Sequence, residues 1–225
     1  MALLILAALI WLGIHIGVAG TSLRDVLVTR IGEGPFRGLF SLLSILAIGL
    51  LVWSWSAAWT TPLWNAPAWL RGLRVAVMLV AFVLFVASVS RRNPTMVSGD
   101  TAMAQPPVGI HRVTRHPMLW SFALWAAVHF IGNGDTAALV FFGTFLVTAL
   151  IGMPSIDAKL ARRDPAQWQA LSATTSIVPF AAIAQRRNRF VPREIGWLSP
   201  LIAVVAWAVV LHFHPWLFGV APVAM

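Results

Sequence analysis

The chain has 225 residues, 59% of them hydrophobic and only 10% charged, with a mean hydropathy of +0.83. Ordinary soluble domains carry about 25% charged residues, so this composition belongs to an integral membrane protein. The absence of cysteine excludes disulfides, thiolate metal sites, iron–sulfur clusters and a cysteine nucleophile. The net charge of +9 falls between apolar runs, where it reads as a topology signal and not as a nucleic-acid surface.

Ala2–Ala19 is an unbroken apolar stretch carrying one histidine, His15. It has no basic segment before it and no cleavage motif, so it is expected to be an anchor and not a signal peptide. Ser22–Ile31 is too polar to span and belongs on the membrane surface. Phe36–Trp59 is the second span, closed by Thr60-Thr61-Pro62, and a short turn, Leu63–Pro67, leads into the third at about Ala68–Ser88. Arg91–His116 is a polar connection with three prolines and a basic finish. At Thr114-Arg115-His116-Pro117 a fourth apolar helix begins, because proline at the first helical position has a preset φ and no N–H to lose. That span, Pro117–Ile131, is short for a bilayer core needing about 20 residues. Gly132-Asn133-Gly134 stops it, and Asp135 is placed to cap the next helix.

Thr136–Met153 is the fifth span, stopped by Pro154, and Asp157–Gln169 is expected as an exposed helix pair with Asp164 and Pro165 at its internal start. Ser176–Gln185 is apolar but too short to cross, Arg186–Arg193 is a basic cluster, and Ile195–His212 is the sixth span. The expected fold is all-α: one domain over residues 1–225, a polytopic membrane helix bundle of about six transmembrane helices plus short interfacial helices, with the lipid bilayer as its solvent. Fourteen of the sixteen Lys and Arg residues fall in the first, third and fifth connections. The positive-inside rule then places those connections in the cytoplasm and both termini outside.

With no cysteine and seven carboxylates, the six histidines are the natural metal or haem ligands. His15 and His129 lie deepest in apolar sequence, each with a tryptophan one turn earlier, Trp11 and Trp125, to flank the ring. Facing imidazoles in a helix bundle are a standard way to hold haem iron. The alternative is a histidine that only bonds a carbonyl or hydroxyl on a neighbouring helix, as in a non-catalytic membrane scaffold or assembly factor for respiratory enzymes. At about 100° per residue, His116 and His129 point about 140° apart, so one straight helix does not aim both at one site. Arg112, Arg115 and His116 form a cationic mouth suited to a haem propionate, phosphate or carboxylate, or else a topology anchor. Depth is a tension for the pair, since His129 lies about 18 Å from Pro117 and His15 about 8 Å from Gly20. His212 and His214 are alternative partners at the outer face.

Several motifs carry a family resemblance: the Thr-Arg-His-Pro helix with its His129-Phe-Ile-Gly-Asn-Gly-Asp end, Gly13-Ile14-His15, Pro35-Phe36-Arg37-Gly38-Leu39-Phe40-Ser41, and Thr175-Ser176-Ile177-Val178-Pro179-Phe180. Together they resemble the NnrU family of bacterial membrane proteins, which implies a multi-pass protein of the bacterial inner membrane. It also implies a link to nitrite and nitric oxide metabolism, with respiratory or nitrogen-oxide reductase components as partners. Zeta-carotene isomerases are similar over the same core and are haem b enzymes, which implies His15 and His129 as the iron ligands and an isomerase-like or redox-sensing activity. A more distant resemblance is to isoprenylcysteine carboxyl methyltransferases, whose Arg-His-Pro segment implies S-adenosylmethionine binding at Arg115, His116 and Pro117. Those enzymes follow with Glu and Tyr residues, where this chain offers Asp157 and Trp168 and has no tyrosine.

Overall fold

A computed structural model describes residues 1–90, 94–95 and 105–222. Arg91 and Arg92, part of the expected charge pattern, lie outside the described residues. The described chain is helical, and among the described residues the β-structure amounts to one isolated bridge, Pro62 to Asp135. It divides into two compact units, Met1–Ala66 with Ala126–Ser155, and Pro67–Trp125 with Ile156–Met225.

The first unit opens with α1, Ala2–Leu12, which runs without interruption into a π-helical segment, Gly13–Val18. The widened turn is explicit in the backbone, where Ala19 N–H reaches five residues back to Ile14 O at 3.0 Å. A 79° bend then separates this helix from α2, Leu23–Ile31, consistent with a segment too polar to continue through lipid. α3, Glu33–Ser56, packs against both α1 and α2. Its first turn is tied to α2 by Arg24, whose Nη2 lies 2.7 Å from Glu33 Oε1. The stretch after α3 is held by the turn that follows α6, Pro117–Asn133. Leu63 and Trp64 N–H both donate to Gly134 O, at 2.8 and 3.0 Å. Thr60 Oγ1 donates to Asp135 Oδ1 at 2.6 Å. Asp135 Oδ1 also accepts from Ala138 N–H at 2.8 Å, the cap expected of it at the start of α7, Thr136–Arg163.

In the second unit α4, Leu70–Val89, packs along α11, Leu198–Phe218, and Trp207 Nε1 donates to Val75 O at 3.2 Å. Between them in sequence lie α5 (Ile110–Val113), α8 (Pro165–Thr174), α9 (Ala181–Ala184) and α10 (Pro192–Ile195). α8 starts as expected, with Pro165 in its first turn and Asp164 Oδ1 accepting from Gln167 N–H at 3.0 Å.

The span count is lower than the sequence predicts. Among the described residues four helices are long and apolar enough to cross a membrane, α3, α4, α7 and α11, and the bent pair Ala2–Val18 with Leu23–Ile31, taken as one span, makes five. α6 falls short because its 17 residues extend about 25 Å at 1.5 Å per residue, under a hydrocarbon core of about 30 Å. Pro154 does not stop the fifth helix either; α7 continues through it to Arg163. A proline inside an apolar helix is tolerated where its surroundings compensate the lost backbone bond; next to it, Ser155 Oγ donates to Gly20 O at 2.7 Å. The expected exposed helix at Asp157 is therefore the end of α7, and Asp157 itself is buried.

Candidate functional site

Each unit holds its own cluster of chemically capable side chains. In the first unit the cluster forms around His15 in the π-helical segment. Its Nδ1 lies 3.0 Å from Trp11 O, one turn earlier, where a wider turn leaves the ring room to fold back. A hydrogen at Nδ1 donated to that carbonyl leaves Nε2 as the unprotonated nitrogen. Nε2 meets only a long contact of 3.4 Å to Ser44 Oγ, a hydroxyl already donated to Phe40 O at 2.7 Å. The Trp11 ring lies face to face with the imidazole at 3.8 Å and 19°, as the one-turn spacing predicts, and Phe40 meets it edge-on at 5.2 Å. Trp11 is itself fixed by Nε1 donating to Thr148 Oγ1 at 3.1 Å.

His129, on α6, belongs to the same unit. Its ring stacks on Phe142 of α7 at 5.0 Å and 26°, and its carbonyl accepts from Asn133 Nδ2 at 2.7 Å. An imidazole whose second nitrogen is held by a backbone carbonyl is the ordinary environment of a metal-bound histidine. The donor set of His15, with a fixed Nδ1 and an available Nε2 among aromatic rings, fits an apolar haem. His212 and His214 lie in the second unit, on α11, with His214 Nδ1 2.7 Å from Val220 O.

In the second unit the Thr114–Pro117 strand of chain is clamped to Thr175–Phe180. Arg115 N–H donates to Ser176 O at 3.0 Å, Phe180 N–H to Val113 O at 2.8 Å, and Thr114 Oγ1 and Trp120 Nε1 both to Ile177 O, at 2.6 and 2.8 Å. This brings Arg115 and His116 together on Asp157. Arg115 Nε and Nη2 reach the carboxylate at 2.9 and 2.5 Å, and His116 Nε2 lies 2.7 Å from its other oxygen. The Arg115 guanidinium also sits 5.1 Å over the Trp168 ring. Asp157 and Trp168, which entered the sequence comparison only as departures, are thus the partners of Arg115. Composition carried no signal that singles out Asp157 among the chain's seven carboxylates.

Arg112 does not join that group. It forms a forked pair with Glu194, Nε to Oε2 at 2.6 Å and Nη2 to Oε1 at 2.9 Å, and its Nη1 donates to Asn188 Oδ1 at 2.8 Å. The guanidinium holds the Glu194 carboxyl below its usual range and is itself raised by it. Glu194 also accepts from Gly109 N–H at 2.8 Å. Gly109 has φ +61°, a conformation that favours glycine, and a Cβ there would sit tightly, 3.2 Å from Glu194 O. The two arginines expected to hold a small anion are therefore each engaged by a carboxylate.

His111 is the residue the sequence passed over. It is 1% exposed, and neither ring nitrogen has a hydrogen-bond partner among the described residues; His116 Nδ1 is in the same condition. Burial pushes the His111 imidazole down from 6.5 to about 4, helped by the charge of His116 and weakly opposed by the Arg115 backbone.

The family described as "NnrU protein" matches the chain over residues 3–222. The chain is 30% identical over 234 residues to the 15-cis-zeta-carotene isomerase, chloroplastic, of Arabidopsis thaliana, an alignment covering 96% of this chain and 60% of that protein. It is 26% identical over 224 residues to the corresponding Zea mays protein, covering 94% and 59%. The chain thus spans about three-fifths of the length of the curated relatives it matches. No solved structure matches it.

Proposed function

The chain belongs to the NnrU family, and on that footing we propose that it is an isomerase-like membrane protein holding a b-type haem through His15 and His129. Its substrate class would be an apolar polyene dissolved in the bilayer, rearranged at a cis double bond, in line with the name of its plant relatives, 15-cis-zeta-carotene isomerase. The observation that carries the assignment is the state of His15: Nδ1 fixed on Trp11 O, Nε2 turned away from strong partners, and the ring held by Trp11 in a π-helical turn. π-Helical turns concentrate at functional sites, and a carbonyl-bound Nδ1 raises the basicity of a ligating Nε2.

A bound haem would supply one-electron chemistry beside an apolar substrate. The chain's own part is positional. Trp11 O orients His15, Phe142 braces His129, and Phe40 and Phe145 add apolar ring surface around Trp11 and His15. The redox-sensing form of the proposal, with respiratory or nitrogen-oxide reductase components as partners, uses the same two histidines. The orientation that goes with it is a bacterial cytoplasmic membrane with both termini outside, supported by the distribution of arginines. Purified protein in proteoliposomes, given 15-cis-zeta-carotene, should isomerise its 15-cis double bond to trans. His15→Ala should abolish that conversion while leaving the helical content unchanged. Full conversion by His15→Ala would end the proposal.

A second reading is methyl transfer from S-adenosylmethionine at the Arg115–His116 cluster. The unpartnered ring nitrogens of His111 and His116 favour a ligand there, whereas Arg115 and His116 Nε2 are already satisfied by Asp157. Titration of the purified protein with S-adenosylmethionine, followed by calorimetry, separates the two.

A further inference from the structure

α9 ends in a Schellman arrangement, with Arg187 N–H donating to Ala182 O and Arg186 N–H to Ile183 O, both at 2.9 Å. The residue that takes the left-handed conformation at such an end is usually glycine; here it is Arg186, with φ +60°. A non-glycine residue there carries a steric penalty, which Arg186 bears in this fold.

Arg186 lines a cavity of about 390 Å³ together with Arg112, Arg187, Arg189, Thr174 and Asn188. Arg112 is neutralised by Glu194. Arg187 is fixed in place, its Nη1 donating to Ser172 O, Ala173 O and Thr175 O at 3.0, 2.8 and 3.0 Å and its Nε to Gln185 Oε1 at 2.8 Å. The guanidinium groups of Arg186 and Arg189 make no hydrogen bond or close ion pair among the described residues, although the charge of Arg189 helps at longer range to hold the Glu194 carboxyl below its usual range. Phe180 and Phe190 flank this basic stretch in sequence, are 51% and 48% exposed, and meet edge to face at 6.0 Å. Unpaired arginines beside exposed aromatic rings have the chemistry of a membrane interface that is anionic above and apolar below.

We propose that this cavity binds the phosphate of an anionic phospholipid headgroup, with Arg186 and Arg189 as its contacting cations and Phe180 and Phe190 set into the adjoining acyl boundary. Arg187, pinned by three carbonyls, gives the site a rigid wall, and Arg112 stays with Glu194. The site is independent of the haem assignment and uses none of its residues.

The test is native mass spectrometry on the detergent-solubilised full chain, titrated with dioctanoyl phosphatidylglycerol, dioctanoyl phosphatidylcholine and inorganic phosphate. Wild-type protein should bind phosphatidylglycerol about tenfold more tightly than phosphatidylcholine, and Arg186→Gly/Arg189→Gln should lose about that factor. Arg186→Gly alone should weaken binding while its melting temperature holds or rises, because the left-handed position is relieved. Should that variant melt earlier, the charge-retaining Arg186→Lys takes its place, binding as wild type while Arg189→Gln does not. Equal binding of the two lipids, or equal retention by wild type and double variant, overturns the proposal. Inorganic phosphate binding as tightly as phosphatidylglycerol assigns the cavity to a soluble anion and overturns the lipid assignment.

Discussion

At the scale of single residues, two buried groups set the behaviour of the second unit. Asp157 serves both Arg115 and His116, and the ion pair is nearly closed to solvent, with each side chain of the Arg115–Asp157 pair 10% exposed. Removing one partner leaves an uncompensated buried charge, typically costing about 3–5 kcal/mol. Asp157→Asn should lower the melting temperature in detergent accordingly, while Arg115→Met/Asp157→Leu should recover much of the loss; an Asp157→Asn protein as stable as wild type would refute the pairing. His111 contributes a pH dependence of definite sign. Folded, it takes up its proton only near pH 4; unfolded, near 6.5. Between those values the unfolded chain binds a proton that the folded chain refuses, so stability falls as the pH drops through that window, by about 3 kcal/mol for the full shift. Melting temperatures measured from pH 7 to pH 4 should show this slope, and His111→Gln should flatten it. The legible part of the site was its cations and imidazoles, because Arg112, Arg115 and His116 stand together at a helix entry. The carboxylates that engage them come from 41 and 82 residues away in sequence, and spacing along one helix carries no information about such partners.

At the scale of elements, helix starts were the most readable feature. Pro117, Asp135 and Asp164-Pro165 each open or cap a helix where their local chemistry dictates. Helix ends were less so. Pro154 looked like a stop because its ring removes a hydrogen bond, yet α7 runs on to Arg163; in an apolar helix tertiary neighbours decide the outcome. The π-helical turn at Gly13–Val18 was invisible to hydrophobic periodicity, since every residue there except His15 is small or apolar. Gly134 is the tightest joint of the first unit. It has φ +65°, and a Cβ would collide with Trp64 O. Gly134→Ala should therefore destabilise the protein by about 1–3 kcal/mol and loosen the Thr60–Asp135 contact, measurable as a lower melting temperature; an unchanged value would contradict this packing.

At the scale of the molecule, the question is which helices cross. The loop after α3 and the turn after α6 are tied together through Thr60, Asp135, Leu63 and Gly134, so both lie on one side of the membrane. The positive-inside rule leads to the expectation that the loop after α3 lies outside. Thr61→Cys and Ala221→Cys should react with an impermeant thiol reagent in intact cells and Ser172→Cys should not, a clean test in a chain without native cysteine. Labelling of Ser172→Cys alone would reverse the orientation.

The central claim is haem ligation by His15 and His129, and its most direct test is the visible spectrum of the purified protein expressed with ample haem. A low-spin b-type spectrum with a Soret band is expected. His15→Ala and His129→Ala should each lower haem occupancy or convert the spectrum to high spin, and His111→Ala should leave it unchanged. A colourless wild-type protein, or a spectrum that survives intact in the His15→Ala/His129→Ala double variant, would contradict the assignment.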